Sequence, residues 1–232
     1  MTTHLKRTIP MPSGDFPIDK TTYRFPVTRK PRAMSDVRQI VVHESAGHTL
    51  KGAHRTLSKA GNSVNFAVDE YGKIYECVPL EYRTGHAAPF NEHSIGFEVV
   101  NRCVGDVVPA GLKKLGYVMT HPRHRKSNWI VPSNQVLESF YGLLYYHVNV
   151  PWHTWSFLNM GEGGWHLWKS SKSEEPQRGS FFCSSHSMWH HSDGGVPLYY
   201  VALRFKYSDP TVAYRELIDR MNSVYPLPPP LR

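Results

Sequence analysis

Two short runs constrain the fold most. Ile40-Val41-Val42 is β-branched and apolar, and SIGFEVVN, from Ser94 to Asn101, is apolar at most positions. Neither shows the regular polar alternation of a half-exposed strand, so each reads as a buried central strand. Each also brings an ionisable residue that an apolar strand does not need. His43 closes the first run, where strand meets loop, and Glu98 lies inside the second. In α/β sheets, functional groups gather at the carboxyl ends of strands.

The rest of the chain supplies partners for these strands. LKGAHRTLSKAG (50–61) is helix-compatible and stops at glycine. Val64, Phe66 and Val68 alternate with Asn65 and Ala67, Asp69 to Gly72 make a turn, and Lys73 to Val78 return. That is a β-hairpin by period and turn chemistry. SNQVLESFYGLLYYHVNV (133–150) has the clearest helical period, with Ser133 as N-cap. Residues 152–180 are rich in Trp, Gly and Ser and read as a long loop excursion. Phe181 to Cys183 reads as a short strand, and 197–208 and 210–224 as helices. The alternation predicts an α/β fold: a single domain with a mixed central β-sheet flanked by helices. The expected organisation is an N-terminal arm over 1–36, a domain over 37–224 with a long insert around 104–180, and a tail over 225–232. The proline-rich arm either lies extended on the domain or is a partly ordered tail.

Composition narrows the class. A chain of 232 residues with 40% hydrophobic content can bury one sizeable core. No run of about 18 apolar residues appears, so no transmembrane helix is expected. The first twenty residues carry a basic patch with no apolar segment behind it, which is not a recognisable signal peptide. Three cysteines are too few for a disulfide framework. The net charge of +8 attracts polyanions without choosing among nucleic acid, acidic lipid and anionic cell wall.

The stretch FFCSSHSMWHHSDGG (181–195) concentrates His186, His190, His191, Asp193 and Cys183. A catalytic zinc site needs three N, S or O ligands and one open position for water. Two imidazoles and one carboxylate leave the metal positive enough to acidify that water, and a nearby carboxylate can take its proton. His43, Glu98 and this cluster could supply those parts. Singly, each has a plainer reading: a structural histidine, a buried ion-pair member, or a turn aspartate before Gly-Gly.

The stretches IVVHESAG, VNFAVDEYGKIYECVP, RTGHAAPFNEHSIGFEVVN and SSHSMWHHSD, in this order, resemble the zinc-dependent N-acetylmuramoyl-L-alanine amidases of type 2, relatives of the peptidoglycan recognition proteins. The likeness is good over 38–103, weaker over 180–205 and poor between. The resemblance implies that His43, His186 and Asp193 bind zinc, and that Glu98 is the general base. Some relatives use a hairpin tyrosine as base, but Val64 stands at the equivalent place here. His191 occupies the position of a family lysine that stabilises the oxyanion, a departure, since an imidazole donates there only when protonated or in the right tautomer. His86 and Asn65 are assigned to substrate contact. His190 is expected beside the site rather than on the metal, and Glu44 outward-facing or in support of His43. Cys183 is expected as a core thiol, because three residues along a strand reverse the face. Trp152, Trp155, Trp165 and Trp168 either cover the substrate or pack the loop.

The function implied is zinc-dependent hydrolysis of the amide between N-acetylmuramic acid and L-alanine in peptidoglycan, by a monomer. The alternative is a non-catalytic module that binds peptidoglycan or muropeptides. A nucleic-acid partner is not expected, since charge alone suggests it and the His/Asp placement would go unexplained. The site of action stays open between the cell wall, reached by lysis or specialised export, and recycled muropeptides in the cytoplasm.

Overall fold

The structure, a computed structural model, describes residues 16–37, 39–45, 47–86, 90–101, 104–105, 117–120, 128–146, 181–183 and 195–224. Its centre is a six-stranded mixed sheet built from β1 (Ile18–Asp19), β2 (Gln39–Ser45), β3 (Phe66–Val68), β4 (Ile74–Glu76), β5 (Ser94–Val100) and β9 (Phe181–Cys183). The strands are ordered β1-β4-β3-β5-β2-β9. Only the β3–β4 hairpin is antiparallel; every other pairing is parallel. The two apolar runs thus become interior neighbours, as their lack of alternation predicts. The hairpin turn needs Gly72, whose φ of 85° is left-handed.

Three helices cover one face of this sheet. They are α2 (Asn134–Tyr146), α3 (Gly195–Lys206) and α4 (Pro210–Val224). Ile40, Val42, Phe66, Val68, Ile95, Phe97 and Val99 from the strands meet Leu137, Phe140, Leu144, Tyr200 and Leu217 in one buried cluster. The α2 start is capped as expected, with Val136 N–H donating to Ser133 Oγ at 3.3 Å. The α4 start carries Pro210 behind an Asp209 cap, whose Oδ1 accepts from Thr211 N–H at 2.7 Å. A buried polar clamp binds this layer. Arg204 is fully buried, and its Nε donates to Glu138 Oε1 at 2.5 Å. Tyr200 OH donates to the same oxygen at 2.7 Å, and the Arg204 guanidinium lies 4.9 Å from the centre of the Tyr141 ring. Burial and the Glu138 charge push the Tyr200 hydroxyl pKa far up.

Among the described residues, the opposite face is covered by less. Here α1 (Leu50–Lys59) and the N-terminal arm enclose a smaller cluster of Phe25, Leu50, Val64, Ala67, Tyr75, Cys77, Val78 and Val100. The α1 helix is capped by Thr49 and stops at Gly61, φ 69°, with Asn62 N–H bonded to Leu57 O and Gly61 N–H to Ser58 O. That is a Schellman ending, which the glycine makes possible. The described arm lies along the domain. Phe16 packs against Gly142 of α2, Ile18 and Asp19 pair with β4, and Phe25 enters the small cluster.

Some expectations shift in detail. The β2 strand continues past His43 to Ser45, so His43 sits within the strand rather than closing it. Glu44 is not outward-facing. It is buried on the helix-covered side, where its Oε1 accepts from Asn101 Nδ2 at 2.8 Å. Within the span read as an insert, β6 (Val104–Gly105), β7 (Tyr117–Thr120) and β8 (Asn128–Val131) form a separate antiparallel sheet ordered β6-β8-β7. The loop expected over 152–180 and the tail over 225–232 lie outside the described residues.

Candidate functional site

The site is built on the less covered face. In the β2–β5 ladder His43 is the register partner of Glu98, and Glu98 is the register partner of Ala67 on β3. Ala67 in turn faces Tyr75 on β4. Register partners point to the same side of a sheet, so Tyr75, Ala67, Glu98 and His43 form one row across four strands. Both ionisable residues are buried, His43 at 2% and Glu98 at 6% exposure. The alanine between Tyr75 and Glu98 leaves the carboxylate room that a larger neighbour would fill.

His86 joins this row from the loop after the hairpin. Its Nδ1 lies 3.3 Å from His43 Nε2, and the rings meet edge to face. Its Nε2 lies 3.1 Å from Ser94 Oγ, and its backbone N–H donates to Asn91 Oδ1 at 3.0 Å. The ring rests directly on Gly96, where an added Cβ would come within 2.7 Å of ring carbon Cδ2. Gly96 therefore makes the seat for His86, and a strand-interior glycine is a signal of such close approach. Sequence reasoning assigned His86 to substrate contact; the structure buries it against His43. Ser94 was missed, for an opening serine on an apolar strand carries no distinctive pattern.

Asn65 and Arg32 form the floor behind His86. Asn65 is fully buried. Its Oδ1 accepts from Thr84 Oγ1, Gly96 N–H and Arg32 Nη2 at 3.1–3.3 Å. Its Nδ2 reaches the carbonyls of Val78, Pro79 and Tyr82. Its hydrogen-bonding capacity thus ties segments of the chain together. Arg32 is also buried, donating to the carbonyls of Leu80 and Ser94 and to Asn65. These partners are neutral, and desolvation, with the nearby Arg83, lowers its pKa to about 10, so it stays charged at neutral pH.

The remaining expected site residues, His186, His190, His191 and Asp193, lie outside the described residues. What is described is their point of departure. The β9 strand pairs in parallel with β2, with Cys183 opposite Val42, one position before His43. Among the described residues no three His, Cys, Asp or Glu side chains are grouped to hold a metal ion. Nearby Cys77 is buried, and burial pushes its thiol up to about 12. It is therefore a core thiol at neutral pH.

His43, Asn65, His86, Ser94, Gly96 and Glu98 fall within one matched segment. Residues 33–146 match the family model described as N-acetylmuramoyl-L-alanine amidase. This segment belongs to the N-acetylmuramoyl-L-alanine amidase family. The match extends past the well-resembling 38–103 region to the end of α2, and stops short of the 180–205 stretch. No curated protein matches the chain. Solved structures similar to it include the N-acetylmuramoyl-L-alanine amidase LysC from Clostridium intestinale, 15% identical, covering 56% of this chain and 73% of that one, TM-score 0.36. Another is the Drosophila peptidoglycan recognition protein SA, 15% identical, covering 51% and 62%, TM-score 0.33. A mutant endolysin from Bacillus subtilis is 29% identical, covering 37% and 62%, TM-score 0.30. Within the amidase segment, His43, Glu98 and His86 combine a carboxylate with two imidazoles on one sheet face. Such a set can bind a metal through nitrogen and pass a proton through the carboxylate.

Proposed function

We propose that the protein is a zinc-dependent amidase that hydrolyses the bond between the lactyl group of N-acetylmuramic acid and L-alanine in peptidoglycan. The observation that carries this reading is the His43–Glu98 register pair, buried on the less covered face of the amidase segment.

The described part of the donor set fits zinc. Metal-binding histidines are held by a hydrogen bond on the other ring nitrogen. His43 Nε2 has such a partner in His86 Nδ1. Two tautomer sets satisfy the chain from His43 through His86 to Ser94. A metal on His43 selects the one in which His43 Nε2–H donates to His86 and His86 Nε2–H donates to Ser94 Oγ, so that His43 Nδ1 presents the lone pair. His186 and Asp193 are the other proposed ligands. Three Cα-to-Cα steps lead from Cys183 to His186 and reach at most about 11 Å. With β9 beside β2, that reach is compatible with a ligand facing His43.

Bound zinc would supply a Lewis acid that acidifies a water and polarises the scissile carbonyl. Glu98 accepts the proton as the water oxygen bonds to the carbonyl carbon. It returns that proton to the leaving nitrogen as the carbon–nitrogen bond breaks. His191 donates a hydrogen bond to the oxyanion. His86 and Ser94 orient His43 rather than touch substrate.

Mass spectrometry of muropeptides, incubated with the protein before and after chelation, tests the reading. Products divided between muramic acid and L-alanine, lost on chelation and restored by zinc, support it. Intact muropeptides that bind tightly to zinc-free protein would replace it with a recognition module.

A further inference from the structure

The outer side of α1 has no role in the chemistry above. The helix turns Leu50 and Ala53 inward, with Leu57 half-buried behind them, and presents Lys51, Arg55 and Lys59 to solvent. These cations recur every fourth residue, so they stand in one stripe, about 6 Å apart along the axis. No carboxylate among the described residues pairs with any of them. Like charges at this spacing weaken a helix, and Lys51 in the first turn also opposes the helix dipole. A surface needing only solubility would intersperse the two signs. An open cleft of about 800 Å³ adjoins the stripe, lined by Arg55, Thr56, Lys59 and Ala60.

We propose that this face of α1 docks an anionic phosphodiester polymer carried by the cell wall. The choice of a wall polymer rests on the amidase reading; the stripe itself requires only a chain of regularly spaced strong acids. Ammonium and guanidinium groups both pair with phosphate oxygens. The exposed positions of the helix, Lys51, Arg55, Thr56, Ser58 and Lys59, include no aromatic residue. Single-stranded nucleic acid is held by stacking on aromatics between cations, so the stripe suits a polymer without bases. The helix covers the same sheet face that carries His43 and Glu98, which holds a docked chain beside the site.

The test is co-sedimentation of the full-length protein with purified cell walls, either intact or stripped of phosphate polymer by acid extraction. The variants are Lys51→Gln/Arg55→Gln/Lys59→Gln and the charge-keeping Lys51→Arg/Lys59→Arg, each checked for wild-type helix content. Wild type and the arginine variant are retained on intact walls, and the glutamine variant is retained about tenfold less at low salt. Raising salt from about 50 to about 150 mM removes that tenfold difference, as release of about two counterions by three contacts requires. Stripped walls hold all three proteins alike. Equal retention of wild type and glutamine variant on intact walls overturns the proposal. So does a loss of duplex-DNA retention in the glutamine variant with no discrimination among walls, which would assign the stripe to nucleic acid. Cleavage of a soluble muropeptide, measured in parallel, is equal in wild type and glutamine variant. Its absence from both would refute the amidase reading while the wall comparison still decides the docking surface.

Discussion

His43 and Glu98 are register partners on the adjacent parallel strands β2 and β5, and both are buried. Strands in register stand about 4.8 Å apart, so an imidazole and a carboxylate share one side of the sheet at neighbouring-strand distance. One backbone ladder thus sets the spacing between a proposed ligand and a proposed base.

Glu98→Gln keeps the shape of the side chain and removes its capacity to take a proton. Muropeptide hydrolysis is expected to fall by about 10²- to 10⁴-fold, with zinc content and thermal midpoint near wild type. Full activity in this variant would remove Glu98 from the mechanism.

Gly96→Ala places a methyl group within 2.7–3.0 Å of the His86 ring, which packs against protein and has no flexible end to yield. The ring is displaced from Ser94 and His43. Zinc retention on dialysis is expected to drop about 10- to 100-fold, and His86→Ala should reproduce the drop. Unchanged metal content in both would show that His86 does not position His43.

Arg204→Met leaves Glu138 buried without its cation, and Glu138→Leu leaves Arg204 without its carboxylate. Each single change is expected to cost about 3–5 kcal/mol in urea denaturation, and the double variant should recover part of that loss. Additive losses would indicate that the pair acts through packing alone.

Alkaline pH is expected to destabilise the protein. Burial raises the Cys77 thiol from 9.0 to about 12 and the Tyr214 hydroxyl from 10.0 to about 12. Both groups hold their protons more tightly folded than unfolded, so their contribution is complete below pH 9 and lost as pH climbs toward 12. Melting curves across that window should show a falling midpoint. Peptide mapping after alkylation at pH 8 should find Cys77 unmodified in native protein and modified after unfolding.

The legible parts of the fold were those with strong local pattern. The β2 and β5 strands showed as unbroken apolar runs, the hairpin as alternation around Asp69–Gly72, and α1 and α2 through Gly61 and Ser133. The β6–β8–β7 sheet went unread because its strands have only 2 to 4 residues, too few to establish a period. At the site, His43 and Glu98 stood out as ionisable groups in apolar strands. The floor behind them did not. Arg32 meets carbonyls of residues 48 and 62 positions away, and Asn65 holds oxygens and amides from three other segments. Neutral partners at such separations leave no charge pattern to read.

The arm bears on how this chain can be divided. The family match begins at residue 33, yet Phe25 and Arg32 precede it. Phe25 fills a socket formed by Leu50, Val64, Tyr75 and Cys77, and Arg32 is the cation under Ser94 and Asn65. A fragment trimmed to the family boundary would open that socket to water and take the support from beneath the His86 seat. Any graft or dissection of the segment must therefore carry the preceding residues from Phe16 onward as part of the working unit.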